Sequence, residues 1–300
     1  METGVWSVKR ICTLILLLFL GVSLFADPVK VVLLGGQSNM AGRGVFAELD
    51  ETVQSRVDAA ANRVYVSSQG RAPQKLSWFD EGKRCRTFGP EVLTGVTLAE
   101  KYPESEFLLI KTAVGGTSLH GAWNPDWTPE RAMASEKGEV RQQLRLFQEH
   151  MQSIRENFRV LEQEGKSYEL MGMCWMQGEK DSRLELSALN YEENLKRLIA
   201  AYRNELEQPG MPFVIGQINC PVRGKNDFPD GPDTVRKAMA KVAAEVSGVG
   251  MVATSTDPSW SDFPKKSDHV HYNAEGQRRL GIAFAEELLR LKPGKNEGGE

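Results

Sequence analysis

The stretch that decides the fold spans residues 31–44 and reads VVLLGGQSNMAGRG. Its first four residues are apolar, and an unbroken apolar run is typical of a strand buried in a parallel sheet. The glycine pair that follows ends the strand and allows a sharp turn, which places Ser38 at the sheet edge. A serine on such a strand-to-helix turn is accessible as a nucleophile, and its own N–H points to where an oxyanion would form. The alternative is an ordinary Gly-Ser turn.

Further apolar runs alternate with segments of helical periodicity along the chain. The runs lie at residues 107–110, 168–176, 213–218 and 249–253. The helical patterns lie at 90–101, about 129–163, 189–207, 234–246 and 273–291. This alternation predicts a three-layer α/β/α sandwich around a mostly parallel five-stranded sheet. Residues 63–66 fit either a short strand or a hairpin arm, and residues 70–88 fit a surface loop.

Polar and glycine residues follow three of these strands at the point where each strand ends. In a parallel α/β sheet, chemistry collects at the carboxyl ends of the strands. Gly115 and Gly116 follow the second strand, and Gln177 follows the third. A neutral amide at this edge is suited to donate to an oxyanion, as are backbone N–H groups. The pattern predicts an oxyanion hole made of Ser38, Gly116 and Gln177, although each position alone also fits a simple turn.

Asp268 and His271 are three residues apart, just before the last predicted helix. A tight turn at this spacing brings the carboxylate to the imidazole Nδ1–H, which leaves Nε2 free to take a proton from a serine. His269 is the competing base. If the segment is extended, the two histidines share a face and could bind a metal together with Asp268. A solvated polar loop is the remaining alternative, and we expect no metal.

Five short blocks of the chain resemble those of SGNH-type (GDSL-like) hydrolases. They are GQSNMAG at 36–42, FGPE at 88–91, VGGTS at 114–118, WMQGE at 175–179 and DHVH at 268–271. Within that superfamily they resemble the sialate O-acetylesterase and acetyl xylan esterase group, carbohydrate esterase family six. Lys180 departs from the pattern, because the family usually has a small residue there. Gln177 stands where SGNH enzymes generally carry asparagine.

The resemblance implies a catalytic set, a fold and an activity. Ser38 is the expected nucleophile, His271 the general base and Asp268 the residue that orients it. The expected fold is the flavodoxin-like sandwich of SGNH hydrolases. The expected reaction removes acetyl groups from an acetylated carbohydrate, through an acetyl-enzyme and without a cofactor or metal.

Five more residues are candidates for contact with the substrate or for support of the catalytic residues: Gln37, Asn39, Gly115, Glu179 and Trp123. Trp123 lies in a loop that either stacks on a sugar ring or packs in the core. Acetylated xylan is the first expected substrate, and O-acetylated sialic acid is the alternative. Sialate would favour a basic pocket, for which Arg43, Arg84 and Arg86 are available. A non-catalytic carbohydrate-binding protein is a more distant possibility.

Composition excludes some classes of function. The chain has 300 residues, 41% of them hydrophobic and 26% charged, and a formal net charge of −3. This balance gives no reason to expect nucleic acid or an anionic membrane surface as a partner. Cys85, Cys174 and Cys220 fit buried thiols better than a disulfide framework. The oligomeric state stays open.

The N-terminus has the pattern of a secretory signal peptide. Lys9 and Arg10 precede an apolar run at 11–20, and Ala26 offers a small residue before a cut. The alternative is a membrane anchor, but the run is short for the roughly 20 residues that a membrane span needs. We therefore expect a signal at 1–26, an esterase domain at 27–291 and a polar tail at 292–300. The expected location is secreted or periplasmic.

Overall fold

The computed structural model describes residues 27–80, 86–257 and 259–292. The expected signal peptide and all but the first residue of the expected tail lie outside these ranges. The strands are β1 (Val29–Gly36), β2 (Gly44–Val45), β3 (Val64–Ser68), β4 (Gln74–Lys75), β5 (Phe79–Asp80), β6 (Arg86–Phe88), β7 (Phe107–Ala113), β8 (Tyr168–Met176), β9 (Phe213–Gly216) and β10 (Val249–Val252). The helices are α1 (Ser38–Ala41), α2 (Glu51–Ala60), α3 (Pro90–Lys101), α4 (Pro129–Ser135), α5 (Glu139–Gln142), α6 (Leu146–Gln163), α7 (Glu185–Leu189), α8 (Tyr191–Glu205), α9 (Gly231–Glu245) and α10 (Ala274–Leu291), with 3-10 turns at Phe46–Glu48 and Asp181–Arg183.

The described residues form a main sheet with the strand order β10-β9-β8-β1-β7-β3-β4. All neighbours pair in parallel except β4, which is antiparallel to β3. Helix α3 packs against α2 and α10 on one face, while α6, α8 and α9 cover the other. The expected three-layer α/β/α sandwich is confirmed.

The expected strand count is corrected. The five predicted strands are all present, and their order β7-β1-β8-β9-β10 is the flavodoxin-like one. Strand β3 adds a sixth parallel strand outside β7, and β4 adds a seventh. The segment at 63–66 is therefore both a parallel strand and one arm of a hairpin. Part of the expected loop at 70–88 is also ordered as strands, since β2, β6 and β5 form a small antiparallel sheet.

The centre of the sheet is β1, whose eight residues are all buried between β7 and β8. Gly36 at its end is level with Ala113 of β7 and Met176 of β8. The chain runs from β1 towards one side of the sheet and later returns to the other, which makes this edge the topological switch point. The residues that follow these three strands therefore meet at one place.

Gly36 is required for the turn into α1. Its φ of +152° lies in a region that residues with a side chain rarely adopt. A Cβ at this position would lie 2.0 Å from the Met176 carbonyl oxygen of the neighbouring strand. The glycine thus lets the two strands stay paired while the chain turns to present Ser38.

The single helix expected over about 129–163 is wrong, because the chain forms α4, α5 and α6 there. Glu136 is extended, with φ −105° and ψ 147°, and Gly138 has a φ of +82°. The buried Glu136 carboxylate accepts hydrogen bonds from the Ser118 N–H and Oγ–H, both at 2.7 Å. A tertiary contact thus interrupts a segment with helical periodicity.

Over the ranges described, no helix combines the length and the apolar character needed to cross a membrane.

Candidate active site

Ser38 is the first residue of α1 and is 6% exposed. It lines a cavity of about 300 Å³ at the carboxyl edge of the sheet. Gly115, Gly116 and His271 line the same cavity. The structure therefore brings the expected nucleophile, base and glycine pair together from three separate parts of the chain.

The loop before α10 holds His271 in a fixed orientation. Asp268 Oδ2 lies 2.5 Å from His271 Nδ1, and Asp268 Oδ1 accepts the N–H groups of Val270 and His271 at 2.9 Å each. Burial alone would raise the pKa of the Asp268 carboxyl, but these hydrogen bonds outweigh it and hold the pKa well below its ordinary value. The carboxylate is thus ionised, and Nε2 of His271 is left for the cavity.

His269 has a different environment from His271. It is exposed and has a positive φ of 58°, and its Nδ1 accepts a hydrogen bond from the Trp260 indole at 3.3 Å. The backbone turn thus points the two rings to different partners, and Asp268 pairs with the later histidine. Among the described residues, no group of three or more His, Cys, Asp or Glu side chains is arranged to bind a metal.

Two backbone N–H groups at the cavity are available to an oxyanion. Neither the Ser38 nor the Gly116 N–H donates to an acceptor in the part of the chain that the structure describes. Gly115 lies against the nucleophile, since a Cβ there would be 3.4 Å from Ser38 Cβ. Arg141 donates to the Gly115 carbonyl at 2.7 Å and thereby fixes the peptide that carries the Gly116 N–H. The structure therefore places Gly115 and Gly116 beside Ser38, and their expected roles stay predictions.

Buried acids hold the loop that follows Gly116. Asp181 accepts the N–H groups of Leu119 at 2.9 Å and His120 at 3.0 Å, while Glu136 holds Ser118. Burial raises the pKa of the Asp181 carboxyl to about 7, against the opposing effect of these hydrogen bonds. Sequence reasoning missed both acids, because an acid that supports a loop looks like any surface acid until the fold buries it.

Gln177 does not occupy the position expected for it. It is fully buried and is not among the residues that line the cavity. Its Nε2 donates to Asp181 Oδ2 at 2.6 Å and to the Thr117 carbonyl at 3.0 Å, and its Oε1 accepts from the Tyr191 hydroxyl at 3.2 Å. Since both amide hydrogens have acceptors beneath the site, the Gln177 side chain is not placed as the direct oxyanion donor that the sequence predicted.

Asn39 ties the nucleophile to the Asp268–His271 loop. It is 1% exposed, does not line the cavity, and donates to the Val270 carbonyl at 3.1 Å and to Glu179 Oε1 at 2.7 Å. Its Oδ1 accepts the Tyr272 N–H at 3.1 Å. Of the two roles expected for Asn39, support of the catalytic residues is therefore the one that the structure allows.

Glu179 lines the cavity and is buried. Burial raises the pKa of its carboxyl, and the hydrogen bond from Asn39 opposes that effect. Its Oε2 has no hydrogen-bond partner among the described residues. Gln37 also lines the cavity, and its Oε1 accepts from the Lys180 N–H at 3.3 Å.

Trp123 cannot stack on a sugar, because its side chain is fully buried. Its ring meets Trp175 edge to face at 5.0 Å and His150 at 6.2 Å between ring centroids. Of the two alternatives that the sequence left open, core packing is the one observed.

Cys174 and Cys220 are free buried thiols, and Cys85 lies outside the described residues.

An ion pair beneath the site was not predicted. Lys111 in β7 and Glu91 in α3 are both buried, and their Nζ and Oε2 atoms lie 2.6 Å apart. The lysine also donates to the carbonyl of Ala41, the last residue of α1, at 3.0 Å. The pair therefore anchors the short helix that carries Ser38. A lysine inside the apolar run FLLIKTA was the available sequence signal.

Basic side chains dominate the charge of the cavity lining. Arg43, Lys180, Arg183 and Arg223 line it, whereas Glu179 is the one acid among the described lining residues. Arg183 is partly neutralised by Asp227 at 3.1 Å. Arg86 instead stacks on the Trp78 ring at 4.6 Å, and Arg84 lies outside the described residues. Only Arg43 of the three expected arginines therefore reaches the cavity.

The chain is similar to known carbohydrate esterases over most of its length. A probable carbohydrate esterase of Arabidopsis thaliana is 26% identical over 280 residues, which cover 87% of this chain and 91% of that protein. The X-ray structure of that Arabidopsis protein gives a TM-score of 0.63 at 22% identity, with 88% of this chain and 98% of that chain covered. The structure of NanS gives a TM-score of 0.61 at 16% identity, over 88% and 98% of the two chains. These two structural similarities show a shared fold.

The family itself is shown by a match to most of the chain. Residues 28–290 match the model of the carbohydrate esterases described as sialic acid-specific acetylesterases. The matched range extends from before β1 to the end of α10 and so spans Ser38 and the Asp268–His271 loop. The chain therefore belongs to the sialic acid-specific acetylesterase family of carbohydrate esterases.

Proposed function

We propose that the protein removes O-acetyl groups from a carbohydrate through an acetyl-enzyme formed on Ser38. The observation that carries the proposal is the shared cavity of Ser38 and His271, with His271 held through Nδ1 by Asp268. This arrangement leaves Nε2 as the nitrogen able to take the serine proton. Binding alone needs no such set, so the arrangement favours an esterase over a non-catalytic sugar-binding protein.

In the first half-reaction, Ser38 Oγ attacks the acetyl carbonyl carbon and its proton passes to His271 Nε2. The carbonyl oxygen becomes an oxyanion, which the N–H groups of Ser38 and Gly116 stabilise. The bond from the acetyl carbon to the sugar oxygen then breaks, and that oxygen takes the proton from His271. The sugar leaves with a free hydroxyl, and the acetyl group stays on Ser38.

In the second half-reaction, water gives its proton to His271 Nε2 and attacks the acetyl carbon. A second oxyanion forms in the same place. Its collapse breaks the bond to Ser38 Oγ, which recovers the proton, and acetate is released. Asp268 stays ionised throughout and stabilises the imidazolium that forms in each half-reaction.

The lining of the cavity bears on which sugar is the substrate. Acetylated xylan chains are neutral, whereas O-acetylated sialic acid carries a carboxylate. Among the residues that the structure describes, neither Lys180 nor Arg223 forms a salt bridge, and both line the cavity with Arg43 and Arg183. Because basic groups attract a carboxylate at close range, the observation favours the sialate alternative over the first expected substrate.

One set of assays tests the reaction and the substrate. Ser38→Ala removes only the attacking oxygen, so it should lose several orders of magnitude in turnover of 4-nitrophenyl acetate while keeping its melting temperature. Acetate release from acetylated xylan and from O-acetylated sialic acid should then be measured side by side. Near-normal turnover by folded Ser38→Ala would overturn the mechanism, and a clear preference for xylan would overturn the substrate assignment.

We also infer that the chain is exported. The support is the basic pair Lys9-Arg10, the apolar run at 11–20 and the small Ala26. Fractionation of expressing cells and N-terminal sequencing of the recovered protein test this, with Asp27 as the expected first residue. A full-length protein retained in the cytosol would contradict it.

A further inference from the structure

The side chain of Gln37, directly before the nucleophile, is oriented by its neighbours. Its Oε1 accepts the Lys180 N–H at 3.3 Å. Gln177 Nε2 lies 3.4 Å from the same oxygen, although its two hydrogens have nearer acceptors in Asp181 and the Thr117 carbonyl. A backbone N–H can only donate, so the end of the amide that faces it must be the oxygen. The opposite end, Nε2, donates to no group in the described part of the chain. Gln37 also lines the cavity beside Ser38.

The orientation of Gln37 depends on that of Gln177. Gln177 cannot turn its amide over, because Nε2 faces two fixed acceptors, the Thr117 carbonyl and Asp181, and Oε1 faces the Tyr191 hydroxyl. Its nitrogen therefore also faces Gln37 Oε1. The Lys180 N–H holds the Gln37 oxygen on this side, and the Gln177 nitrogen beside it also favours the oxygen there, so the Gln37 nitrogen points away from both.

We propose that the Gln37 side-chain amide is the third donor to the oxyanion on the acetyl carbonyl oxygen, alongside the N–H groups of Ser38 and Gly116. Gln177 then acts as a positioning residue that works through Gln37. The proposal rests on the serine mechanism proposed above. A neutral amide adds no charge to the ground state, and its hydrogen bond strengthens as charge develops on the carbonyl oxygen. The structure thus assigns to Gln37 the part that sequence reasoning gave to Gln177.

The substitution Gln37→Glu isolates this role. A glutamate keeps an oxygen for the Lys180 N–H and replaces only the free N–H donor by a second acceptor. Loss of one oxyanion donor typically lowers kcat about 100- to 1,000-fold. The kcat of Gln37→Glu on 4-nitrophenyl acetate should therefore fall by at least that factor, with KM little changed. Gln37→Met removes the donor without adding charge, and it should lose kcat in the same range. It also replaces Gln37→Glu if that variant does not fold.

Gln217 supplies the matched control. It is also buried at the end of a strand, and its Oε1 accepts the Thr254 N–H at 3.1 Å, but it does not line the cavity. Gln217→Glu should therefore keep kcat near that of the parent. If Gln217→Glu loses as much kcat as Gln37→Glu, the buried charge explains both losses. The kcat of the uncharged variant Gln37→Met then decides whether Gln37 is an oxyanion donor.

A double-mutant cycle separates Gln37 from Gln177. If Gln177 acts through Gln37, Gln177→Met should lower kcat in the parent but have little further effect in the Gln37→Met background. A full Gln177→Met loss in that background would assign the donor to Gln177 and overturn the proposal. A purely structural role for Gln177 would lower the melting temperature and leave this kcat coupling at zero.

The same variants distinguish failure of the serine mechanism from failure of the oxyanion role of Gln37. Ser38→Ala that keeps its turnover would overturn the serine mechanism and this inference with it. Inactive Ser38→Ala combined with near-parental kcat of Gln37→Met would overturn only the inference. A Gln37→Met loss on acetylated sugar but not on 4-nitrophenyl acetate would make Gln37 a sugar contact and would also overturn it.

Discussion

Asn39 offers the sharpest test of how the site is assembled, because it joins the nucleophile helix to the loop of the base. Asn39→Ala removes three buried hydrogen bonds: those to Glu179 Oε1, to the Val270 carbonyl and from the Tyr272 N–H. The bond to the carboxylate is worth about 1.5–3 kcal/mol and each neutral bond about 0.5–1.5 kcal/mol. Their sum predicts a loss of about 2.5–6 kcal/mol, a large part of the 5–15 kcal/mol typical of a folded protein.

The loss should also appear in catalysis. Without the tether, Ser38 and His271 are no longer held at a fixed separation, and a misplacement of about 1 Å can cost about 100-fold in rate. Urea denaturation gives the change in the free energy of unfolding, and 4-nitrophenyl acetate hydrolysis gives kcat for the fraction that stays folded.

Asn157 is the matched control. It is similarly buried and donates to Ser67 Oγ at 3.0 Å and to the Ser153 carbonyl at 2.8 Å, away from the cavity. Asn157→Ala should lower stability and leave kcat unchanged. If Asn39→Ala destabilises the protein but keeps kcat within about threefold, then the reasoning that Asn39 positions the base is refuted.

Three further predictions test separate parts of the structure. His271→Ala should lower kcat by about three orders of magnitude or more, whereas His269→Ala should keep most activity; the reverse pattern in an ester hydrolysis assay would move the base to His269. Because the folded pKa of Asp268 lies below its ordinary value, its stabilisation is present above the unfolded pKa of about 3.9 and is lost as the pH falls towards the folded pKa. The melting-temperature gap between the parent and Asp268→Asn should therefore shrink below about pH 4, and a constant gap would contradict this. Glu91→Gln removes the carboxylate that pairs with the buried Lys111 ammonium and should cost about 3–5 kcal/mol in urea denaturation, with much of the loss recovered in the Glu91→Gln/Lys111→Met double variant.

The basic lining gives the cavity a property that motif comparison alone could not supply. The blocks that resemble those of carbohydrate esterases predict hydrolysis of an ester by a serine. They do not predict whether the sugar is charged. Lys180 departs from the family pattern, yet in the structure it is one of the four basic residues that line the cavity. Burial lowers the pKa of its ammonium, with nearby Glu136 opposing that effect. The residue that weakened the sequence match is therefore part of the basic lining on which the proposal of an acidic substrate rests.

Several features were readable from the sequence because they depend on short stretches of chain. The apolar run before Ser38 predicted the central strand, since four consecutive apolar residues fit a strand buried on both faces. The alternation of strands and helices then predicted the parallel sandwich. The spacing of Asp268 and His271 predicted their contact, because three residues are enough to close a turn without help from the rest of the fold.

Other features depended on contacts between distant parts of the chain. Periodicity predicted one helix over about 129–163, but the helix breaks where Glu136 turns to hold Ser118, eighteen residues earlier. Trp123 is as compatible with a binding surface as with a core in sequence alone, and only the packing of Trp175 and His150 around it decides.

The two glutamines show the same division most clearly. Sequence placed Gln37 and Gln177 at the ends of adjacent strands, and either amide was chemically able to serve an oxyanion. Which of them faces the cavity depends on where each amide finds its partners, and those partners come from β1, β8 and the loop after β7. Strand ends and catalytic spacings are local and were determined by the sequence itself. The orientation of a buried amide is set by hydrogen bonds across the fold, so only the tertiary structure decided it.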